Sequence, residues 1–196
     1  VWSEGSLVRE GYLAGTDDKR LAEFQAALND KESKAVIAAR GGFGVTRILN
    51  GLSFDALEQK PKWFVGCSDL TAVLVHFWAE LGIVSIHGPM VSGFDKTRDE
   101  DLTALFDLLE GKPWTGPTDL KTLVPGKAKG PLIGGNLTVL AHLAGTLPKG
   151  FGEGAVIFLE DVDEHPYRLD RCLVQLKRSG ILDGAAGVLT GGFHKC

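Results

Sequence analysis

The chain lacks the positive charge that a nucleic-acid or anionic-membrane surface requires. Its 196 residues carry 21 Lys and Arg against 25 Asp and Glu, a formal net charge of −4. Surfaces that bind such partners depend on clustered positive charge. No apolar run approaches the roughly 20 residues that span a bilayer, and no signal-peptide pattern opens the chain. We therefore expect a soluble protein that binds neither nucleic acid nor membrane.

Cysteine is also scarce. The three cysteines, Cys67, Cys172 and Cys196, form an odd set without C-x-x-C spacing. Neither a disulfide framework nor a zinc site is indicated. We expect no metal and a reducing, cytoplasmic setting.

Glycine, in contrast, is abundant, with 26 residues in a chain that alternates short apolar runs with helical patterns. The runs, each typical of a buried parallel strand, are 35–38, 63–65, 83–86, 131–133, 155–159 and 187–189. The helical patterns cover 17–29, 70–81, 99–110, 136–144 and 167–179. Strict alternation of strands and helices predicts an α/β fold with a mostly parallel sheet.

A stretch rich in proline and glycine, residues 112–130, shows no periodicity and is typical of a connection between lobes. We predict an N-terminal α/β domain over 1–111, a linker over 112–130 and a C-terminal β/α domain over 131–196.

Polar motifs cluster where the predicted strands end. They begin at Arg40, Gly66, His87, Gly134, Glu160 and Gly191. Because open α/β sheets bind ligands at the carboxyl ends of their strands, a shared site explains these six segments better than six unrelated turns.

Ser68 is the best nucleophile candidate in these segments. A strand, a tight glycine turn and a helix start surround it, in an arrangement similar to a nucleophile elbow, although Leu70 stands where G-x-S-x-G has its last glycine. Alternatively, Ser68 or Asp69 only caps the helix. Cys67 is a weaker candidate, since a lone cysteine is usually a small buried hydrophobe.

The Arg40–Gly44 segment, Arg-Gly-Gly-Phe-Gly, offers backbone N–H groups between a strand and a helix. It suits a phosphate, an oxyanion or a purely structural turn. The acidic residue of a dinucleotide site and the lysine of a phosphate-binding loop are both missing. We expect no cofactor.

Together these motifs, with Gly11–Asp17 and 159–171, resemble the LD-carboxypeptidases of serine peptidase family S66 from about Gly11 to Cys196. The resemblance implies a Rossmann-like N-terminal domain, a C-terminal β/α domain that is truncated here, and a site between them. It also implies cytoplasmic homodimers that remove the terminal D-Ala from murein tetrapeptides during cell-wall recycling.

Carried onto this sequence, the resemblance assigns the nucleophile to Ser68 and the triad acid to Glu160. The oxyanion hole falls on the N–H groups of Gly42 and Asp69. Further substrate-binding positions are Arg40, His87 and Asn136. Three neighbouring acids, Asp161, Asp163 and Glu164, are interpreted as solvated loop charges.

The base is not assigned. His76 and His142 are interpreted as packing residues within apolar helices, and His87, His165 and His194 do not match the family's catalytic histidine. That histidine is expected beyond Cys196, so the chain resembles the middle of a longer protein and is expected to be inactive alone. Two alternatives stay open: an immunity-type hydrolase of the same family that cleaves a peptide–nucleotide antibiotic, and a non-catalytic sugar- or phosphate-binding module.

Overall fold

The computed structural model describes residues 8–117 and 120–196. The start of the predicted first domain and two positions of the predicted linker lie outside these residues. The chain forms two compact units, one ending at Val91 and the other running over Ser92–Cys196. The domain boundaries near 111 and 131 stay a prediction.

The first unit contains a three-stranded parallel sheet in the order β1-β2-β3. These strands are β1 (Ala35–Ile37), β2 (Trp63–Gly66) and β3 (Ile86–His87). Its helices are α1 (Asp17–Asn29), α2 (Val45–Ile48), α3 (Asp55–Gln59) and α4 (Thr71–Leu81). Helix α1 begins at Asp17, as the sequence predicts. The Thr16 side chain caps it by accepting a hydrogen bond from the N–H of Lys19.

The core of this unit lies between the sheet and α4. Six of the eleven residues of α4 are buried, which is why its pattern is apolar nearly all round. Phe64 of β2 packs edge-to-face on Phe77 of α4, with ring centroids 5.4 Å apart. This packing fixes the turn that joins β2 to α4.

The second unit contains a parallel sheet in the order β4-β5-β6. Its strands are β4 (Leu132–Asn136), β5 (Val156–Val162) and β6 (Gly187–His194). Its helices are α5 (Asp99–Leu109), α6 (Leu137–His142) and α7 (Pro166–Arg178). Leu137 and Leu140 of α6, Ile157 of β5 and Leu176 of α7 are fully buried and form its core.

The predicted α/β class is confirmed, with corrections at several boundaries. Strand β3 covers 86–87 instead of 83–86, while β4, β5 and β6 continue through polar and glycine residues that were expected to follow them. The short helices α2 and α3 were not predicted, because four or five residues are too few to display a period. Across 8–117 and 120–196, every helix is too short or too polar to cross a membrane.

Candidate active site

Ser68 occupies a strained turn between β2 and α4. Its φ is +57°, in the left-handed region that non-glycine residues rarely adopt. A 3₁₀ turn, Ser68–Leu70, leads directly into α4. Such backbone costs on the order of 1 to 3 kcal/mol and persists only where the surrounding structure imposes it. This order of strand, tight turn and helix is similar to a nucleophile elbow.

The departure from the elbow motif at Leu70 has a packing explanation. A Cβ at Gly66 would lie 2.9 Å from the Cβ of Leu70. Gly66 therefore allows the close approach of strand and helix, and position 70 can carry leucine.

The capping interpretation of Ser68 and Asp69 is wrong. Neither the 3₁₀ turn nor α4 has a side-chain hydrogen bond at its N-cap. Asp69 instead bonds to another element: its Oδ2 accepts from the N–H of Val45, the first residue of α2, at 2.9 Å. Asp69 is 9% exposed, and burial raises the pKa of its carboxyl although hydrogen bonds and the charge of Arg20 act against the rise.

The glycine loop, residues Arg40–Gly44, lies against Ser68. A Cβ at Gly41 would be 3.6 Å from Oγ of Ser68 and 3.1 Å from Cε of Met90. At the end of the loop, Nη1 of Arg20 donates to the carbonyl of Gly44 at 2.8 Å. Arg20 is a site residue that sequence reasoning missed, because nothing in the sequence of α1 links it to a loop 24 residues away.

His87 lies beside the same turn. It ends β3 and pairs in register with Gly66, and the N–H of Gly88 donates to the carbonyl of Gly66 at 3.1 Å. The ends of β1, β2 and β3 thus bring the glycine loop, Ser68 and His87 to one edge of this sheet, as the sequence predicts for these three segments.

Glu160 lies within the second unit, near the end of β5. It pairs with Asn136 of β4, while on the other side the ladder with β6 is irregular. Leu159 pairs with Thr190 but Asp161 pairs with Phe193, so Gly191 and Gly192 together face Glu160. A Cβ at Gly191 would lie 3.2 Å from the Cβ of Glu160. Bulges of this kind redirect side chains at strand ends.

The interpretation of Asp161 as a solvated charge is wrong. It is 3% exposed, because β5 continues past Glu160 and Asp161 faces α6. Its carboxylate accepts from Nδ2 of Asn136 at 2.9 Å, from the N–H and hydroxyl of Thr138, and from the N–H of Val162. Asn136 also caps α6, accepting from the N–H of Val139 at 3.0 Å. Asp161 therefore joins β4, β5 and α6 beside Glu160.

The remaining histidines have varied settings. His76 packs on Phe54 with centroids 5.1 Å apart, which agrees with a packing role, and burial lowers its pKa. His142 is exposed and lies 2.6 Å from the carbonyl of Thr138, so its packing interpretation is wrong. His194 is exposed at the end of β6. Within 8–117 and 120–196, no group of three or more His, Cys, Asp or Glu could hold a metal ion.

Two units, each with a parallel sheet and helices, place the chain in the α/β class, and the first of them carries a strained serine turn beside a glycine loop. Two family models identify the family to which these units belong. Residues 2–88 match the LD-carboxypeptidase N-terminal domain and residues 129–196 match the LD-carboxypeptidase C-terminal domain. The chain belongs to the LD-carboxypeptidase family, peptidase family S66.

Several relatives are similar over nearly the whole chain. A probable murein peptide carboxypeptidase of Bacillus subtilis is 42% identical over 194 residues, covering 96% of this chain and 61% of the relative. The murein tetrapeptide carboxypeptidase of Pseudomonas aeruginosa is 34% identical, covering 96% and 65%. The chain thus spans less than two thirds of the length of these relatives.

Solved structures agree on the fold. The muramoyltetrapeptide carboxypeptidase of Oxalobacter formigenes has a TM-score of 0.79 at 37% identity, covering 95% of this chain and 66% of that one. The microcin immunity protein MccF in complex with glutamyl sulfamoyl guanosine has a TM-score of 0.81 at 22% identity, covering 96% and 67%. At that identity the second likeness bears on fold alone.

Proposed function

We propose that this chain carries the nucleophile of a serine LD-carboxypeptidase, which hydrolyses the L,D-peptide bond to the terminal D-Ala of murein tetrapeptides in cell-wall recycling. The observation that carries the proposal is the left-handed backbone of Ser68 between β2 and α4, with the glycine loop against its hydroxyl. Strained backbone of this kind clusters at functional sites, active sites among them. The murein peptides named for the relatives supply the substrate class.

In the proposed reaction, Oγ of Ser68 attacks the carbonyl carbon of the L,D-bond while a general base takes its proton. The negative charge that develops on the carbonyl oxygen accepts hydrogen bonds from the N–H groups of Gly42 and Asp69. Collapse of the tetrahedral intermediate returns the proton to the amine of D-Ala, and water then hydrolyses the acyl-enzyme.

Glu160 is proposed to orient the base and stabilise its protonated form. The role suits a carboxylate whose backbone is fixed by β4 on one side and by the Gly191–Gly192 bulge on the other. None of the five histidines of this chain is assigned as the base.

Substrate binding is proposed for Arg40, His87 and Asn136. Arg40 begins the glycine loop and carries a permanent positive charge, which suits a substrate carboxylate. His87 lies beside the Ser68 turn. Asn136 faces Glu160 across the β4–β5 ladder, and its amide already holds Asp161 and caps α6.

The test is release of D-Ala from purified murein tetrapeptide by the natural protein and its Ser68→Ala variant. Loss of the attacking atom is expected to lower kcat by about 10⁶-fold, with the melting temperature retained. Glu160→Gln is expected to lower kcat by roughly 10⁴-fold, because it disturbs orientation and charge only. A Ser68→Ala variant that keeps more than about a tenth of the activity contradicts the assignment.

The same assay separates the alternative within the family. An aminoacyl-sulfamoyl nucleoside is offered as a competing substrate, and we expect the murein tetrapeptide to be cleaved with the higher kcat/KM. The 34 to 42% identity to murein carboxypeptidases favours this outcome.

We further propose that the protein acts in the cytoplasm as a homodimer, with no cofactor. The family resemblance supports the dimer, and the odd set of three cysteines without C-x-x-C spacing is compatible with a reducing compartment. Light scattering after gel filtration would report the mass of the particle, and a monomer at micromolar concentration would contradict the dimer.

A further inference from the structure

We propose that the side chains of Arg20 and Asp69 form a clamp on the Gly44–Val45 peptide that holds the glycine loop in its reactive position. Both are positioning residues, since they act through the loop and not on the substrate. The inference rests on the proposed function and concerns its oxyanion hole.

The clamp holds both polar groups of one peptide unit. Arg20 of α1 donates from Nη1 to the carbonyl of Gly44 at 2.8 Å, and Oδ2 of Asp69 accepts from the N–H of Val45 at 2.9 Å. The Val45 N–H lies in the first turn of α2, where no helical acceptor exists, so Asp69 supplies its partner. The Gly44 carbonyl also accepts from the N–H of Arg47 at 3.2 Å, and Arg20 is a second, shorter donor to it from outside the loop. The peptide is thereby fixed in position and orientation.

The loop needs such an anchor because its own residues restrain it weakly. Three of its five residues are glycine, which has the most backbone freedom to lose on folding. Its one large apolar side chain, Phe43, is 60% exposed. The Gly42 N–H lies two residues before the clamped peptide, so freedom at Gly44 would pass directly to the proposed oxyanion donor.

Asp69 makes the clamp specific to this chemistry. It directly follows Ser68, so its carboxylate ties the glycine loop to the turn that carries the nucleophile. The backbone N–H of this residue is the second proposed oxyanion donor. One residue thus sets the distance between the two halves of the oxyanion hole.

Arg20 is itself held in place. Its side chain is 13% exposed and pairs with Asp17, which also accepts from Nε and Nη2 of Arg47 on α2. This pairing orients the guanidinium toward the Gly44 carbonyl. A Cβ at Gly44 would lie 3.0 Å from Nη1 of Arg20, so the loop and the guanidinium are in close contact.

The clamp is tested with graded substitutions at both ends. At position 20, Arg20→Lys keeps the positive charge and one donor for the Gly44 carbonyl, whereas Arg20→Gln removes the charge. At position 69, Asp69→Asn keeps an acceptor for the Val45 N–H, whereas Asp69→Ala removes it. We expect kcat to fall about three- to tenfold in Arg20→Lys and Asp69→Asn and about 10- to 100-fold in Arg20→Gln and Asp69→Ala. A misplaced oxyanion donor stabilises the transition state less. KM is expected to stay within threefold. The double variant Arg20→Gln/Asp69→Ala is expected to resemble the worse single variant.

Arg98→Gln is the matched control, since it removes an exposed arginine–aspartate pair at Asp101 in the second unit. Its kcat and KM are expected to be unchanged. If folded Arg20→Gln and Asp69→Ala keep their kcat, or if KM rises in step with the loss of activity, the clamp is disproved. Should the stronger variants fail to fold, Arg20→Lys and Asp69→Asn decide by the same criteria.

Hydrogen exchange gives a second readout that does not depend on hydrolysis. Peptides covering residues 40–48 are expected to exchange at least tenfold faster in Arg20→Gln than in the unchanged protein, with α7 unaffected. Unchanged exchange in this segment rejects the clamp even if no murein peptide is cleaved. Failure of the proposed function is recognised separately, by activity that survives Ser68→Ala.

Discussion

Gly41 leaves space beside the Ser68 hydroxyl that any side chain at this position would fill. Gly41 has ordinary negative φ, so alanine is compatible with its backbone. The new methyl would nevertheless lie 3.1 Å from Cε of Met90 and 3.6 Å from Oγ of Ser68. The contact with Met90 is tight, so Met90 must shift, whereas 3.6 Å is an ordinary van der Waals distance, so the methyl fills the space beside the Ser68 hydroxyl without displacing it.

We therefore expect Gly41→Ala to lower kcat/KM for murein tetrapeptide by at least tenfold, because the methyl occupies space beside the Ser68 hydroxyl and displaces the substrate carbonyl from it. Gly93→Ala is the control, because a Cβ there would contact nothing within 4 Å. In Gly41→Ala/Met90→Ala the contact with Met90 is relieved and the one with Ser68 remains. Full recovery in that double variant would mean that the shift of Met90, and not the methyl beside Ser68, causes the loss.

Among the elements, β5 carries a buried acidic residue, Asp161, whose hydrogen bonds contribute to stability. Asp161 accepts four hydrogen bonds from three residues and is 3% exposed. Asp161→Ala would remove the acceptor of the buried Asn136 amide and of the partly buried N–H and hydroxyl of Thr138. We expect a loss of about 3 kcal/mol in the free energy of unfolding, measured by urea denaturation.

Asp170→Ala serves as the comparison for that loss. Asp170 is exposed on α7, so its removal is expected to change stability by no more than about 0.5 kcal/mol. Equal effects at the two positions would contradict the role given to Asp161.

The elements also separate what the sequence can predict from what it cannot. Helices α1 and α4 follow from the helical patterns over 17–29 and 70–81, which are local signals. Strand β4 instead continues through Gly134, whose φ is +129° and where a Cβ would lie 2.1 Å from the carbonyl oxygen of Phe158. From the sequence alone, a glycine is expected to end a strand. Here the pairing of β4 with β5 requires glycine at position 134, because a side chain would meet the backbone of Phe158.

The same distinction holds for the candidate site. Ser68, the glycine loop and His87 could be grouped from sequence because each follows a strand, and parallel strands end at one edge. The bonds of Arg20 to Gly44 and of Asp161 to Thr138 depend on side chains that meet only after folding. No local pattern records them.

For the whole molecule, the predicted linker over 112–130 can be tested by limited proteolysis. The described residues 112–117 and 120–130 contain no helix or strand, and 121–130 are all exposed. Exposed segments without secondary structure are preferred sites of cleavage. We expect trypsin to cut first at Lys121, Lys127 and Lys129 and to leave two stable fragments, identified by mass spectrometry.

Replacing these three lysines with glutamine should slow the first cut and leave later ones unchanged. First cleavage within α1 or α7 would contradict a linker here.

The left-handed backbone at Ser68 has an evolutionary consequence. Glycine adopts that conformation without strain, so selection for stability alone favours glycine over serine at position 68. Only selection for the hydroxyl opposes the change. A gene copy released from hydrolysis is therefore expected to lose this serine early and to gain stability as it does so, and glycine at the matching position would mark a relative that has kept the fold and abandoned the reaction.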